Sequence, residues 1–200
     1  MSEEIKVMLR PEWITWENIR ECIYLAQQTN LEKGFDMNFG HYSAAEIEKE
    51  VGDGMCFVAL NKENKVIATC SYKISQINRW WSKGQGAYLC LAGVHPDYQG
   101  KKIYSALCKK REEHIVSRTD VDTIWFNTAE HNYYVQKKHA LGGFVKVQLS
   151  PSSKGANYYS VIMAKYLNRK PLPQLLLSAL YYLSFIVVKI LYKPGKIRRI

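Results

Sequence analysis

Residues 87–104 read AYLCLAGVHPDYQGKKIY: an almost wholly apolar run to Val94, a polar turn, and the first residues of a helix. An apolar run of this kind, with no charge in it, is expected to form a central strand buried on both faces. Beyond the turn, Lys102–Val116 places Ile103, Leu107 and Ile115 at helical spacing, so the turn joins the end of a strand to the start of a helix. The first amides of a helix have no intrahelical acceptors and lie at its positive dipole end, where a pyrophosphate is stabilised without a dedicated side chain. Gly100 lets the backbone approach such a group closely, and Lys101 and Lys102 add positive charge. An ordinary solvated loop is the competing reading of this turn taken alone.

Outward from this unit the sequence predicts alternating elements. Ile5–Leu9 is a strand candidate, and Ile14, Ile19, Cys22, Ile23, Leu25 and Ala26 mark a helix to Thr29. Ser43 with Glu46 forms a capping-box pattern opening a second helix through Val51. Met55–Leu60 and Val66–Ile77 flank the polar turn Asn61–Lys65 and are expected to pair as an antiparallel hairpin. Thr123–Thr128 is strand-like, Asn132–Leu141 helical with Gly142 and Gly143 as its stop, and strand candidates follow at Phe144–Leu149 and Tyr158–Ala164. The fold class is therefore α/β in composition, a mixed α+β sheet with helices on both faces, over one domain at 1–168 and a tail at 169–200.

Composition narrows the partners. Lys and Arg number 28 against 18 Asp and Glu, a net charge of +10, which favours an anionic ligand such as a phosphorylated cofactor, nucleic acid or acidic lipid. The basic residues gather at the turn and the tail instead of along a groove with interleaved aromatics, so nucleic acid is not expected. The five cysteines form no CxxC pair and no His/Cys cluster, so reduced buried thiols are expected, with no metal and no disulfide. The N-terminus lacks a basic stretch followed by an apolar core, so no secretory signal is expected.

The run VHPDYQGKKIYSAL resembles the pyrophosphate signature of the GNAT N-acetyltransferases, Gln/Arg-x-x-Gly-x-Gly/Ala, with Gln99 in first place. Lys102 stands where the first signature glycine falls, and Tyr104 where the last Gly or Ala falls. A second resemblance lies downstream: Asn132, Val135, His139, Gly143 and Phe144 match Asn-x-x-Ala-x-x-x-Tyr-x-x-x-Gly-Phe, with His139 in the tyrosine position.

This resemblance implies the GNAT acyl-CoA N-acyltransferase fold over roughly Ile5–Leu167, with an added C-terminal apolar, amphipathic helix. It implies acetyl-CoA as co-substrate, bound by Ala92, Gly93, Val94, Gln99, Gly100, Lys101, Lys102, Ile103, Tyr104 and Asn132, with backbone N–H groups near Ala92–Val94 polarising the thioester carbonyl. It places the family's thiolate-protonating role at His139, which an imidazole can fill. The strand AYLCLAGV offers no carboxylate to deprotonate the acceptor amine, which leaves Glu130 as the catalytic candidate, with His131 and His41 as alternatives. The acceptor would meet Phe35, Asn38, His41 and Tyr42 of the first loop and Trp80 and Trp81 of the hairpin, an aromatic and polar mixture suited to an amino sugar or nucleotide sugar. A degenerate domain that binds acyl-CoA or a partner without turnover is the second reading.

Pro171 and Pro173 separate the tail, PLPQLLLSALYYLSFIVVKILYKPGKIRRI. At about 100° per residue, Gln174, Ser178, Tyr181, Tyr182, Lys189, Tyr192 and Lys193 collect on one stripe, with Leu, Ile, Val and Phe elsewhere. A span would carry Lys193, Lys196, Arg198 and Arg199 outward, against the positive-inside tendency. An interfacial helix on the cytoplasmic face of an acidic membrane is therefore expected, in an otherwise cytoplasmic protein. Docking on the domain itself, or on a second subunit as a homodimer, is the alternative.

Overall fold

The computed structural model describes residues 4–34, 37, 39–151, 159–167 and 173–191. Contacts divide the chain into two compact units, the first Met1–Ser75 with Ala87–Thr119, the second Gln76–Gly86 with Asp120–Ile200.

In the first unit, β1 (Lys6–Leu9) pairs antiparallel with β2 (Met55–Leu60), and β2 with β3 (Val66–Arg79), which is followed in strand order by β4 (Ser82–Val94). The hairpin expected around Asn61–Lys65 is present: Asn61 Oδ1 accepts from the amides of Glu63 and Lys65 and closes the turn. Helices α1 (Trp16–Glu32) and α2 (Ala44–Val51) begin with reciprocal capping boxes, Thr15 with Asn18 and Ser43 with Glu46, each worth about 1 kcal/mol. Their apolar faces bury Ile19, Ile23, Ile47 and Val51 against Val58, Leu60 and Leu91. Helix α3 (Ile103–Val116) covers the other face, where His114 packs edge-on to Phe57 and its Nδ1 is 2.9 Å from the Tyr72 hydroxyl.

Arg111 of α3 is 1% exposed. Its Nη1 donates to the Ser71 carbonyl at 3.3 Å and its Nη2 to Cys108 Sγ at 3.6 Å, while Nε has no partner. Among the described residues no carboxylate pairs with it. A desolvated cation with two long bonds costs more than it returns. Arg111→Met is therefore expected to raise the unfolding free energy by about 1–2 kcal/mol and the thermal midpoint by about 2–6 °C. A lower midpoint would show that the two bonds outweigh desolvation.

In the second unit, β5 (Thr123–Ala129) and β6 (Val145–Pro151) both pair antiparallel with β7 (Tyr159–Tyr166), and α4 (Tyr133–Leu141) follows β5. β3 runs to Arg79, Trp80 and Trp81 make the turn and β4 opens at Ser82, so Ile77–Lys83 forms the hairpin expected there. The Trp81 indole donates to Gln148 Oε1 and packs tilted against Trp125, Ser82 bonds Thr123, and the Gln85 carbonyl accepts from the Asp122 amide.

The tail forms α5 (Gln174–Leu191), packed along β6. Leu177 enters a core with Ile77, Trp81, Val147, Ile162 and Ala164. Part of the polar stripe read from the sequence is turned inward: Tyr181 is buried and Lys189 pairs with Glu130 at 2.9 Å, while Ser184, outside that stripe, accepts from the Leu149 amide through its Oγ. Ser178 and Tyr182 stay exposed at its edge, and the stripe's Tyr192 and Lys193 lie outside the described residues. Among those residues no helix is long and apolar enough to cross a membrane.

Candidate active site

Strand β4 is not buried on both faces as its apolar run suggests. Ala87, Leu89, Leu91 and Gly93 are buried, whereas Tyr88, Cys90, Ala92 and Val94 are half-buried. The strand is also broken in conformation, since Leu91 sits at φ 51°. A left-handed leucine inside a strand costs about 1–2 kcal/mol and marks a bulge that redirects the following amides. Those amides belong to Ala92, Gly93 and Val94. A Cβ on Gly93 would stand 3.2 Å from Ala26 Cβ, so α1 is seated close against the strand at that point.

The chain then makes a short 3-10 turn at Pro96–Tyr98, in which the Asp97 amide donates to His95 Nδ1 at 3.3 Å. Gln99 ties this turn to its surroundings: its Oε1 accepts from Lys33 Nζ at 3.1 Å and its Nε2 donates to the Val94 carbonyl at 3.4 Å. Lys101 Nζ lies 4.6 Å from the Tyr98 ring centroid.

Two left-handed residues precede α3, Gly100 at φ 79° and Lys102 at φ 61°. A Cβ on Gly100 would meet nothing within 4 Å, so its backbone angle, not crowding within the chain, calls for glycine. Lys102 holds, at a strain of about 1–2 kcal/mol, a conformation that a glycine takes freely, which explains how lysine fills a signature-glycine position. Tyr104 leaves the turn uncovered in another way. Its phenol is raised well above the usual tyrosine range by burial and by the Cys108 thiol to which it bonds, which directs the ring along α3.

Helix α3 has no side-chain N-cap and no acidic residue in its first turn, whereas α1, α2 and α4 are capped by Thr15, Ser43 and Asn132. The Lys102 carbonyl accepts from the Ser105 and Ala106 amides, so the Ile103 amide and the helix dipole are what this end offers an outside anion.

A further group flanks β4 that spacing did not reveal. Glu50, at the end of α2, pairs with Lys73 of β3 at 2.8 Å, both side chains about a third exposed, and Lys73 Nζ stands 5.5 Å from the Tyr88 ring. Burial, reinforced by Glu50, pushes the Cys90 thiol up to about 12 and raises the Tyr88 phenol. Both stay neutral at pH 7, so the charged side chains beside this strand are Glu50, Lys73 and the buried Arg111. Of the first-loop candidates, His41 is exposed and Tyr42 packs partly against the core, while Phe35 and Asn38 lie outside the described residues.

In the second unit, Asn132 Oδ1 accepts from the Val135 amide at 3.3 Å and caps α4. Glu130, expected as a catalytic carboxylate, is held by Lys189 of α5, and its carbonyl accepts from Gln136 Nε2 at 2.7 Å. His139 is 4% exposed, its ring 4.4 Å from Phe126 and 5.0 Å from Phe144. Trp80 is 47% exposed, whereas Trp81 is 4% exposed and belongs to the core. Among the described residues no group of three or more His, Cys, Asp or Glu side chains is placed to hold a metal, and all five cysteines are free thiols.

The sequence matches the model of the Acetyltransferase (GNAT) family over residues 14–142. No curated protein matches it. Among solved structures the chain is similar to a ribosomal-protein-S18-alanine N-acetyltransferase from Escherichia coli, at 16% identity and TM-score 0.62 over 84% of this chain and 96% of the other. It is similar also to an acetyltransferase of the GNAT family from Staphylococcus aureus Mu50, at 16% identity and TM-score 0.59 over 82% and 100%. A third similar structure, an aminoglycoside 6'-N-acetyltransferase complexed with coenzyme A, has 15% identity and TM-score 0.60 over 83% and 99%.

Proposed function

Because the chain belongs to the acetyltransferase (GNAT) family, we propose that it transfers an acetyl group from acetyl-coenzyme A to the amine of a small molecule. The observation that carries this reading is the uncapped N-terminus of α3, led by left-handed Gly100 and Lys102 and lying just past the bulge at Leu91. The residues present fit the coenzyme: Gly100 leaves open space above the turn, and α3 begins at Lys102 without a side-chain cap.

The amides from Gly100 to Tyr104 would hold the pyrophosphate, with Lys101 and Lys102 adding charge and Gln99 fixing the turn to Val94 and Lys33. When bound, the coenzyme supplies an acyl group activated as a thioester. The Ala92–Val94 amides, redirected by the bulge, would hydrogen-bond its carbonyl oxygen and stabilise the negative charge that develops there on attack.

The amine must attack as a free base, and Glu50 is the carboxylate we assign to it. The Glu50 carboxylate, 2.8 Å from Lys73 Nζ, would draw an incoming ammonium and take its proton directly or through water. Glu130 is committed to α5. Glu50→Gln is expected to raise KM for the amine at least about tenfold, with KM for acetyl-coenzyme A within about twofold; an equal rise in both would remove Glu50 from the acceptor site.

An amino sugar or nucleotide sugar is the acceptor class favoured, because half-buried Tyr42 offers a stacking surface beside the exposed, polar His41 of the first loop. Thiol release from acetyl-coenzyme A over a panel of amino sugars, polyamines and peptides tests the reading. Turnover with an amino sugar supports it; coenzyme binding with no turnover on any amine would make the chain a binding module.

A further inference from the structure

The positive charge of this protein is confined to one part of the chain. After Glu130 no Asp or Glu occurs, while 12 of the 28 Lys and Arg lie in that stretch. The first 130 residues hold the other 16 against all 18 acids, a formal charge of −2, and the last 70 carry +12. The basic excess thus belongs entirely to the segment that ends in α5 and its tail.

Helix α5 commits Tyr181, Ser184 and Lys189 to the protein and keeps Ser178 and Tyr182 at one exposed edge. Leu177, Tyr181 and Ser184 face β6 and Lys189 reaches back to Glu130, so the outer side of the helix is apolar. Leu175, Leu183, Ile186 and Ile190 are 86%, 58%, 54% and 68% exposed and, at 100° per residue, form one continuous stripe with Val187. This is the reverse of a surface helix of a globular domain, which turns its apolar stripe inward. Lys189 lies at the edge of this stripe, and Lys193, Lys196, Arg198 and Arg199 follow in the sequence.

We propose that the outer face of α5 is a docking surface for an anionic lipid bilayer, on which the helix lies in the interface with its inner face bound to the protein. Apolar side chains enter the headgroup boundary and the flanking cations meet acidic headgroups. A second copy of this chain fits poorly, because it would set two segments of the same high positive charge against each other. The proposal does not depend on the acceptor or on acetyl transfer.

Co-sedimentation of the full chain with vesicles tests it. Binding is expected to vesicles containing about a third phosphatidylglycerol and not to phosphatidylcholine alone, and to weaken several-fold as salt shortens the screening length. The Ile186→Glu, Ile190→Glu double variant is expected to lose at least about tenfold of that binding. Both positions are exposed, so an unchanged thermal midpoint shows that the loss is not unfolding; if the midpoint falls, Leu183→Gln at the same stripe is the substitute. Absence of binding to anionic vesicles, equal binding to both compositions, or a concentration-dependent dimer dissociated by the same substitutions would each overturn the proposal.

Discussion

Valine in place of Gly100 is expected to weaken coenzyme A binding by about a hundredfold. Gly100 stands at φ 79°, where a β-branched side chain is strained by about 1–2 kcal/mol or more, so the turn will relax toward a negative φ. That rotation turns away the amides that lead into α3. Losing two charge-assisted hydrogen bonds at about 1.5 kcal/mol each gives about 3 kcal/mol, or two powers of ten in affinity. Steric conflict within the protein contributes nothing, since a Cβ there meets no atom within 4 Å, and stability should change little because the turn is exposed. Calorimetric titration with coenzyme A checks the expectation, and Gly100→Ala should fall between. Binding of the valine variant within about threefold of the original would place the pyrophosphate elsewhere and remove the foundation of the acetyltransferase reading.

The parts of this turn that were legible in the sequence are those that local chemistry dictates. A strand of apolar residues, a glycine and a helical period follow one another over residues 87–115, and the Ser43–Glu46 capping box and the Asn61–Lys65 hairpin are equally local. The bulge was not legible, because Leu91 adopts a left-handed angle in a run whose neighbours carry no turn signal, and tertiary packing holds it there. Glu50 and Lys73 lie 23 residues apart on a helix and a strand, so their pairing arises only when α2 is packed on the sheet. The helical period of α5 was legible but its orientation was not. A stripe of Tyr181 and Lys189 is polar in isolation, and only Glu130 and β6 determine that it turns inward.

His139 is the residue on which sequence pattern and packing lead to different experiments. Its place in the downstream motif carries, in the family it resembles, proton transfer to the departing thiolate. Its surroundings are those of a core aromatic: 4% exposure, with Phe126 and Phe144 at 4.4 and 5.0 Å and tilted or edge-on to the imidazole. Aromatic pairs in that geometry contribute about 0.5–1.5 kcal/mol each beyond the area they bury. His139→Ala is therefore expected to cost about 2–4 kcal/mol of stability through the cavity left between the two rings, and His139→Phe, which refills it, less than about 1.5 kcal/mol. The phenylalanine variant is expected to keep kcat within about threefold, because the packing that shapes α4 survives. A proton donor behaves otherwise: its loss lowers kcat by about 10²–10⁴ whichever residue replaces it. Chemical denaturation of both variants, with kcat measured at saturating acetyl-coenzyme A, separates the two roles. A folded phenylalanine variant slowed a hundredfold would make the imidazole the proton donor, acting from inside the core.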